Sequence, residues 1–223
     1  MKNYSLAKYF LTFLFVLVCC SNLFAHTINY GMEVKPMGNV IVYYLILGFQ
    51  HIIPMGLDHI LFVLCIFLMD SRLKSVILQA SCFTVAHTTT LIMTSKGIII
   101  PPAQIIEPII AISIAFVALE NIFVGKLNPW RYGIVFLFGL VHGMGFANAL
   151  DEIGLPRNAF YTSLISFNVG VELGQVAVIL LAWFLIGKFH SQKIWYRNRI
   201  IIPLSIIIAM IATYWTFERV FYS

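Results

Sequence analysis

Six long apolar stretches, separated only by short polar turns, leave this chain few ways to fold. A run of about 20 apolar residues makes a helix that matches the hydrocarbon thickness of a bilayer, where backbone groups find partners only inside helices or closed barrels. The runs here are of helical length and are punctuated by proline and glycine. They lack the alternating segments of about ten residues that a transmembrane barrel shows. With 61% hydrophobic and 10% charged residues and a mean hydropathy of +0.93, the chain lies far from the roughly 25% charged residues of soluble domains. The reading is an all-α polytopic transmembrane helix bundle with no soluble domain.

The spans run from about Asn39 to Met69, Lys74 to Thr94, Ala103 to Val124, Tyr132 to Leu150, Ala159 to Gly187 and Ile200 to Phe217. At 1.5 Å per residue the first is roughly 45 Å long, so a kink or break at Pro54 and Gly56 is expected. Ahead of it, Lys2 and Lys8, an apolar run from Tyr9 to Cys20 and the segment Ser21 to Ala25 have the order of a secretory signal, with cleavage after Ala25. The expected organisation is a signal over residues 1–25 and a single transmembrane domain over 26–223. An uncleaved extra span and a lipoprotein signal at Cys19 are the competing readings. Cleavage makes His26 the new terminus, most simply a solvated one.

The net charge of +5 does not point to a nucleic-acid partner, because the basic residues sit in short loops and read as topology signals. Arg72 and Lys74, then Lys126 and Arg131, then Lys188, Lys193, Arg197 and Arg199 mark one side as cytoplasmic. Six crossings then leave the mature amino and carboxyl termini outside. Cys19, Cys20, Cys65 and Cys82 form neither a disulfide framework nor a CxxC metal pair.

Within the spans lie residues that hydrocarbon rejects: His51, Asp58, His59, His87, Glu107, His142 and Glu172. An ionisable side chain near a bilayer centre costs roughly 2.5–3.5 kcal/mol on insertion scales, so several together are expected to face one another or a wet cavity. Imidazole with carboxylate is also the ligand set of a divalent metal: nickel, cobalt or zinc. For a lone histidine an interhelical hydrogen bond is the simpler account; for four with three carboxylates a shared site is the better one.

His51 and Asp58, seven residues apart, fall near one face of a continuous helix, with His59 turned by about 80°. Pro54 frees a carbonyl near the histidine. Thr84 and Thr88 share a stripe with His87, and for the threonines alone bonding to their own backbone is the preferred reading. Glu107 sits in the first turns after Pro101-Pro102, where the helix dipole alone accounts for a carboxylate. Asn168, Glu172 and Gln175 form one polar face, with Asn168, Gln175 and Thr84 in supporting roles. Counted from the span ends, His51, His142 and Glu172 are deepest, and His87 and Glu107 lie nearer the outside. Glu120, Asn121 and Glu218 lie near span ends, where snorkelling accounts for them. Trp130, Trp183 and Trp215 fit interfacial belts.

Four stretches carry a resemblance: Gly48-Phe49-Gln50-His51 through Gly56-Leu57-Asp58-His59-Ile60-Leu61-Phe62; Phe83-Thr84-Val85-Ala86-His87-Thr88; Phe138 to Ala147 around His142-Gly143; and Phe167 to Gln175 around Glu172. In these the chain resembles the HupE/UreJ family of small bacterial membrane proteins, which accompany nickel hydrogenases and ureases and are regarded as nickel or cobalt permeases. The resemblance implies an inner-membrane location and metal-interacting roles for His51, Asp58, His59 and His142, extended to His87, Glu107 and Glu172. One departure stands out. The better-studied branch follows His-Gly with a glutamate on the same helix, whereas Phe146-Ala147-Asn148 offers none, and Glu172 on the next helix is the substitute.

The leading expectation is therefore a secondary permease for a divalent transition metal, since no GxxxxGK[ST] motif is present to couple nucleotide hydrolysis. The first alternative is an intramembrane metal-dependent hydrolase acting on a lipid or membrane peptide, in which three histidines hold zinc with an open position. The second is an accessory protein whose polar residues only join helices. The bilayer and a metal ion are the expected partners, and the sequence points to no protein partner.

Overall fold

A computed structural model of the chain describes residues 29–125, 127–188, 191 and 193–222. The expected signal segment, with Cys19, Cys20 and His26, lies outside the described residues. Secondary structure among the described residues is helical, with no strand. After a single turn at Tyr30–Glu33 come α1 (Met37–Ile52), α2 (Leu57–Met69), α3 (Leu73–Ser95), α4 (Ala103–Phe123), α5 (Trp130–Ile153), α6 (Phe160–Ala182) and α7 (Ile202–Phe221). A π-helical turn, Trp183–Gly187, extends α6, and another, Arg197–Ile201, leads into α7.

These helices coincide with the six expected spans to within a few residues, α1 and α2 together forming the first. Leu73–Ser95, Ala103–Phe123, Arg157–Gly187 and Arg197–Phe221 are each long and apolar enough to cross a membrane, and α1 with α2 makes a fifth candidate as a pair bent by 68°. With 24 residues α5 is as long and contains the apolar run of the fourth expected span. The chain is a membrane protein.

The helices associate as three close pairs, α1 with α6, α3 with α5 and α4 with α7, joined where α3 meets α6 and where α2 lies against α4 and α6. Lipid tails are as apolar as leucine, so such contacts depend on close packing through small residues. Gly170 of α6 shows this: a Cβ there would stand 2.1 Å from the Leu45 carbonyl of α1. Gly143 does the same for the α3–α5 pair, where a Cβ would lie 2.2 Å from the His87 carbonyl. The threonines of α3 bond as expected, Thr84 to Ala80 O (3.1 Å), Thr88 to Thr84 O (2.7 Å) and Thr89 to Val85 O (2.8 Å). Thr90 reaches across to Leu140 O of α5 (2.7 Å).

At one end, Arg72 grips Asp70 through Nε to Oδ1 (2.9 Å) and Nη2 to Oδ2 (2.8 Å) in the turn between α2 and α3. Burial opposes the charge on Asp70, but these bonds, with one from Ser75, hold its carboxyl below the usual range.

Two expectations are corrected at this end. Glu120 and Asn121 do not snorkel: they are 6% and 0% exposed. Arg131, counted above as a loop cation, is fully buried, where it pairs with Glu120 and donates to Asn121 Oδ1 and Cys65 O (both 3.3 Å). The connection between α4 and α5 is short enough to fold the first turn of α5 against the last turns of α4, and an arginine held in hydrocarbon needs a carboxylate.

Candidate metal centre

The break between α1 and α2 builds the site. Ile53 to Gly56 interrupt the helix, and the carbonyl that Pro54 cannot engage, Gln50 O, accepts instead from Met55 N (3.2 Å). Gly56 packs so closely that a Cβ would stand 2.2 Å from His51 O. The chain therefore doubles back, and His59 in the first turn of α2 comes against His51 in the last turn of α1, with ring centroids 4.7 Å apart.

That bend overturns the register drawn for a continuous helix. His59 is the residue that faces His51, and Asp58 stands behind it. Asp58 Oδ1 accepts from His59 N (2.8 Å) and lies 3.0 Å from His59 Nδ1. At the start of α2 the carboxylate is also favoured by the helix dipole.

His87 completes a triangle, its ring 6.3 Å from His51 and 5.9 Å from His59. One ligand atom from each of His51, His59 and His87 falls in a group within 4.8 Å. Counting residues from span ends put His87 nearer the outside; the bend of α1–α2 brings the other two to its level. His142 of α5 lies beside the triangle, its ring 5.2 Å from His59.

The hydrogen bonds around these rings all point one way. His59 Nδ1 faces Asp58, His87 Nδ1 lies 3.3 Å from Asn168 Oδ1, and His142 Nδ1 lies 2.8 Å from Phe138 O. Each neighbour is an acceptor, so each ring carries its proton on Nδ1 and directs the lone pair of Nε2 inward. The Nε2 atoms of His51, His59, His87 and His142 are all buried with no hydrogen-bond partner. Buried polar atoms are nearly always satisfied, and metal-ligating histidines commonly give their other N–H to a carboxylate or carbonyl. Three of these four histidines, His51, His59 and His87, form the group close enough to share an ion.

Aromatic rings wall the cluster. Phe146 sits 3.9 Å from His51 and stacks on Phe167 at 4.9 Å and 12°. Phe83 touches His59, His87 and His142, and Phe62 touches His142. A metal bound by imidazole at about 2.0–2.1 Å spaces tetrahedral ligands roughly 3.3 Å apart. The group is thus wider than that spacing by at most about 1.5 Å.

Two carboxylates of the sequence set are placed elsewhere. Glu107 is exposed, and its backbone carbonyl accepts from Arg219 (3.1 Å). Glu172 accepts from Ser81 Oγ (2.6 Å) across the α3–α6 seam. Thr84 Oγ1 lies 3.3 Å from Gln175 Oε1 on the same seam. The phenylalanine wall and the role of Ser81 were not foreseen; Phe62, Phe83, Phe146 and Phe167 look like ordinary core residues until the bend places them around imidazoles.

Residues 27–219 match the family model described as HupE / UreJ protein. No curated protein and no solved structure matches the chain.

Proposed function

Because the chain belongs to the HupE / UreJ family, we propose that it is a secondary permease for divalent nickel or cobalt, with His51, His59 and His87 as the ligands of the translocated ion. The observation that carries this reading is the convergence of three imidazole donors within 4.8 Å whose Nε2 atoms have no other partner. Asp58 holds His59 in the tautomer that binds, and Asn168 does so for His87. His142 stands beside His59 as the next imidazole the ion meets.

Several features suit transport. Three neutral nitrogens hold a borderline metal firmly enough to strip much of its water. With no carboxylate in the group, the ion is not trapped by full charge neutralisation. In the proposed topology the chain lies in a bacterial inner membrane with its signal removed after Ala25, both mature termini outside, and Arg72, Lys188, Arg197 and Arg199 at the cytoplasmic ends. The Irving–Williams order leaves zinc as a competing cargo, so the ion is identified by measurement.

Three imidazoles with an open fourth position are also the donor set of catalytic zinc, which keeps the hydrolase as the second reading. Uptake of radioactive nickel, cobalt and zinc into proteoliposomes tests both. Wild-type protein is expected to accumulate nickel or cobalt, and His51→Ala or His59→Ala protein reconstituted in equal amount to lose it. Retained uptake in either variant overturns the site assignment. Absence of wild-type uptake, with hydrolysis of a lipid or peptide that both variants lose, replaces the permease with the hydrolase.

A further inference from the structure

The seam between α3 and α6 carries polar residues beyond those the histidine cluster uses. On α6, Asn168, Glu172 and Gln175 follow at helical spacing; on α3, His87, Thr84 and Ser81 recede the same way. The helices are antiparallel, and three pairs form rungs across the seam, the last two crossing each other: His87 with Asn168 (3.3 Å), Thr84 with Gln175 (3.3 Å) and Ser81 with Glu172 (2.6 Å). The first rung belongs to the histidine cluster. The other two lie toward the end of the bundle that carries Arg72 and Lys188, Glu172 about 6 Å along the axis from Asn168.

Both of these rungs have polar atoms without a partner. Glu172 Oε2 is buried and bonds to nothing, and so does Gln175 Nε2. Thr84 Oγ1 approaches both Ala80 O (3.1 Å) and Gln175 Oε1 (3.3 Å), yet a hydroxyl has one proton to give. A half-turn of the Gln175 amide lets its N–H donate to Thr84 while Thr84 keeps Ala80, and the amide atom then left over is an oxygen. With the Gln175 amide turned that way, the unpartnered atoms are two oxygens, one from a carboxylate, on residues at i and i+3 of the same face of α6.

Farther along the same seam the polar run stops. Val76 of α3 with Ile179 and Ala182 of α6 are buried, and beyond them opens a cavity of about 530 Å³ lined by Asp70, Arg72, Leu73, Trp183 and Tyr196. The order along the seam is therefore imidazole cluster, oxygen pair, apolar closure, open cavity.

We propose that Glu172 and Gln175, with Ser81 steadying the carboxylate, form a second, oxygen-lined station for the divalent cation, occupied after it leaves the histidines and before it reaches the cavity. This rests on the permease reading and deepens it. The station supplies what the first site lacks, a carboxylate facing the ion, so the cation is drawn off the imidazoles toward the end of the seam that Val76, Ile179 and Ala182 otherwise close. Departure of the ion, and not its capture, depends on Glu172.

The test compares equilibrium nickel binding to purified protein with nickel uptake into proteoliposomes. Glu172→Gln is the informative variant, because glutamine still accepts the Ser81 hydrogen bond and preserves the packing while removing the charge. It is expected to bind nickel at the histidine site with wild-type affinity and to transport it about tenfold more slowly or worse, as loss of a charged ligand in a low-dielectric path implies. Glu172→Asp is expected to retain more uptake than Glu172→Gln, and Gln175→Leu to show the same separation of binding from uptake if Glu172→Gln cannot be purified. Wild-type uptake by Glu172→Gln overturns the station and leaves Glu172 as helix glue. Loss of equilibrium binding by the folded variant also overturns it, by making Glu172 part of the histidine site. Failure of the permease reading itself shows separately, as absence of uptake by the wild type.

Discussion

Helix α2 carries a buried polar group at each end, and the two are built on opposite principles. At its start, Asp58 and His59 join His51, His87 and His142; the rings of His59, His87 and His142 bond outward to Asp58, Asn168 and Phe138, and all four histidines leave Nε2 without a partner. Near its other end the Cys65 carbonyl accepts from Asn121 Nδ2 (2.8 Å) and from Arg131 (3.3 Å), and Arg131 pairs with Glu120. Arg197 extends this group by donating to the carbonyls of Asn121 (3.4 Å) and Ile122 (2.8 Å) at the end of α4. The arginine group turns most of its bonds inward and ties helix ends together, leaving only Glu120 Oε1 and Arg131 Nε without a partner. The histidine group turns its bonds outward and keeps its centre open. Both are polar, buried and expensive in hydrocarbon, so burial alone does not distinguish a site from a fastening; the direction in which the donors and acceptors are satisfied does.

The hardest blow to that distinction comes from Arg131→Met. It leaves the Glu120 carboxylate buried without its cation, a change that destabilises by about 3–5 kcal/mol. The expected result is a large fall in thermal midpoint in detergent, partly restored by adding Glu120→Gln, with nickel bound per folded molecule unchanged. A variant that stays stable but stops binding metal would place Arg131 in the transport machinery and erase the contrast.

Asp58→Asn probes the opposite end of α2. The His59 ring loses a carboxylate that fixes its tautomer and strengthens Nε2 as a donor, and such second-layer changes cost roughly 10–100-fold in metal affinity. Calorimetric titration with nickel checks this, and the thermal midpoint is expected to move little. Should Asp58→Asn unfold the protein instead, the Asp58–His59 pair would be a fastening like Glu120–Arg131.

How much of this the sequence carried depends on distance along the chain. The six spans were legible because each is a local property: an apolar run, a proline or glycine, a charged turn. The membership of His51, His59, His87 and His142 in one neighbourhood followed from their rejection by hydrocarbon. Their arrangement did not, because it depends on a 68° bend that a continuous-helix register cannot represent, and that bend moved Asp58 behind His59. Glu107 shares the chemistry of the set, yet it faces away from the bundle, a matter of which side of α4 meets its neighbours. Arg131 was misread for the same kind of reason. A cation beside a short loop is normally a topology signal, and only its spacing from Glu120 across that loop hinted that the two would meet.

The smallest effect is expected at Thr90, where a fastening and the candidate site come within one helical turn of each other. Thr90 Oγ1 donates to Leu140 O (2.7 Å), joining α3 to α5 beside His87 and His142, and a Cβ on Gly143 would meet it at 2.3 Å. Thr90→Val keeps the shape and removes the hydroxyl. Interhelical hydrogen bonds in membranes average about 0.6 kcal/mol, because the separated helices find other partners. The thermal midpoint should therefore drop only slightly, and nickel affinity should stay at the wild-type value. Thr90 gives no hydrogen bond to a histidine Nε2, so a loss of affinity without a loss of stability would mean that the α3–α5 spacing itself tunes the site. In that case Gly143, which sets the closest approach of those helices, would become the next position to change.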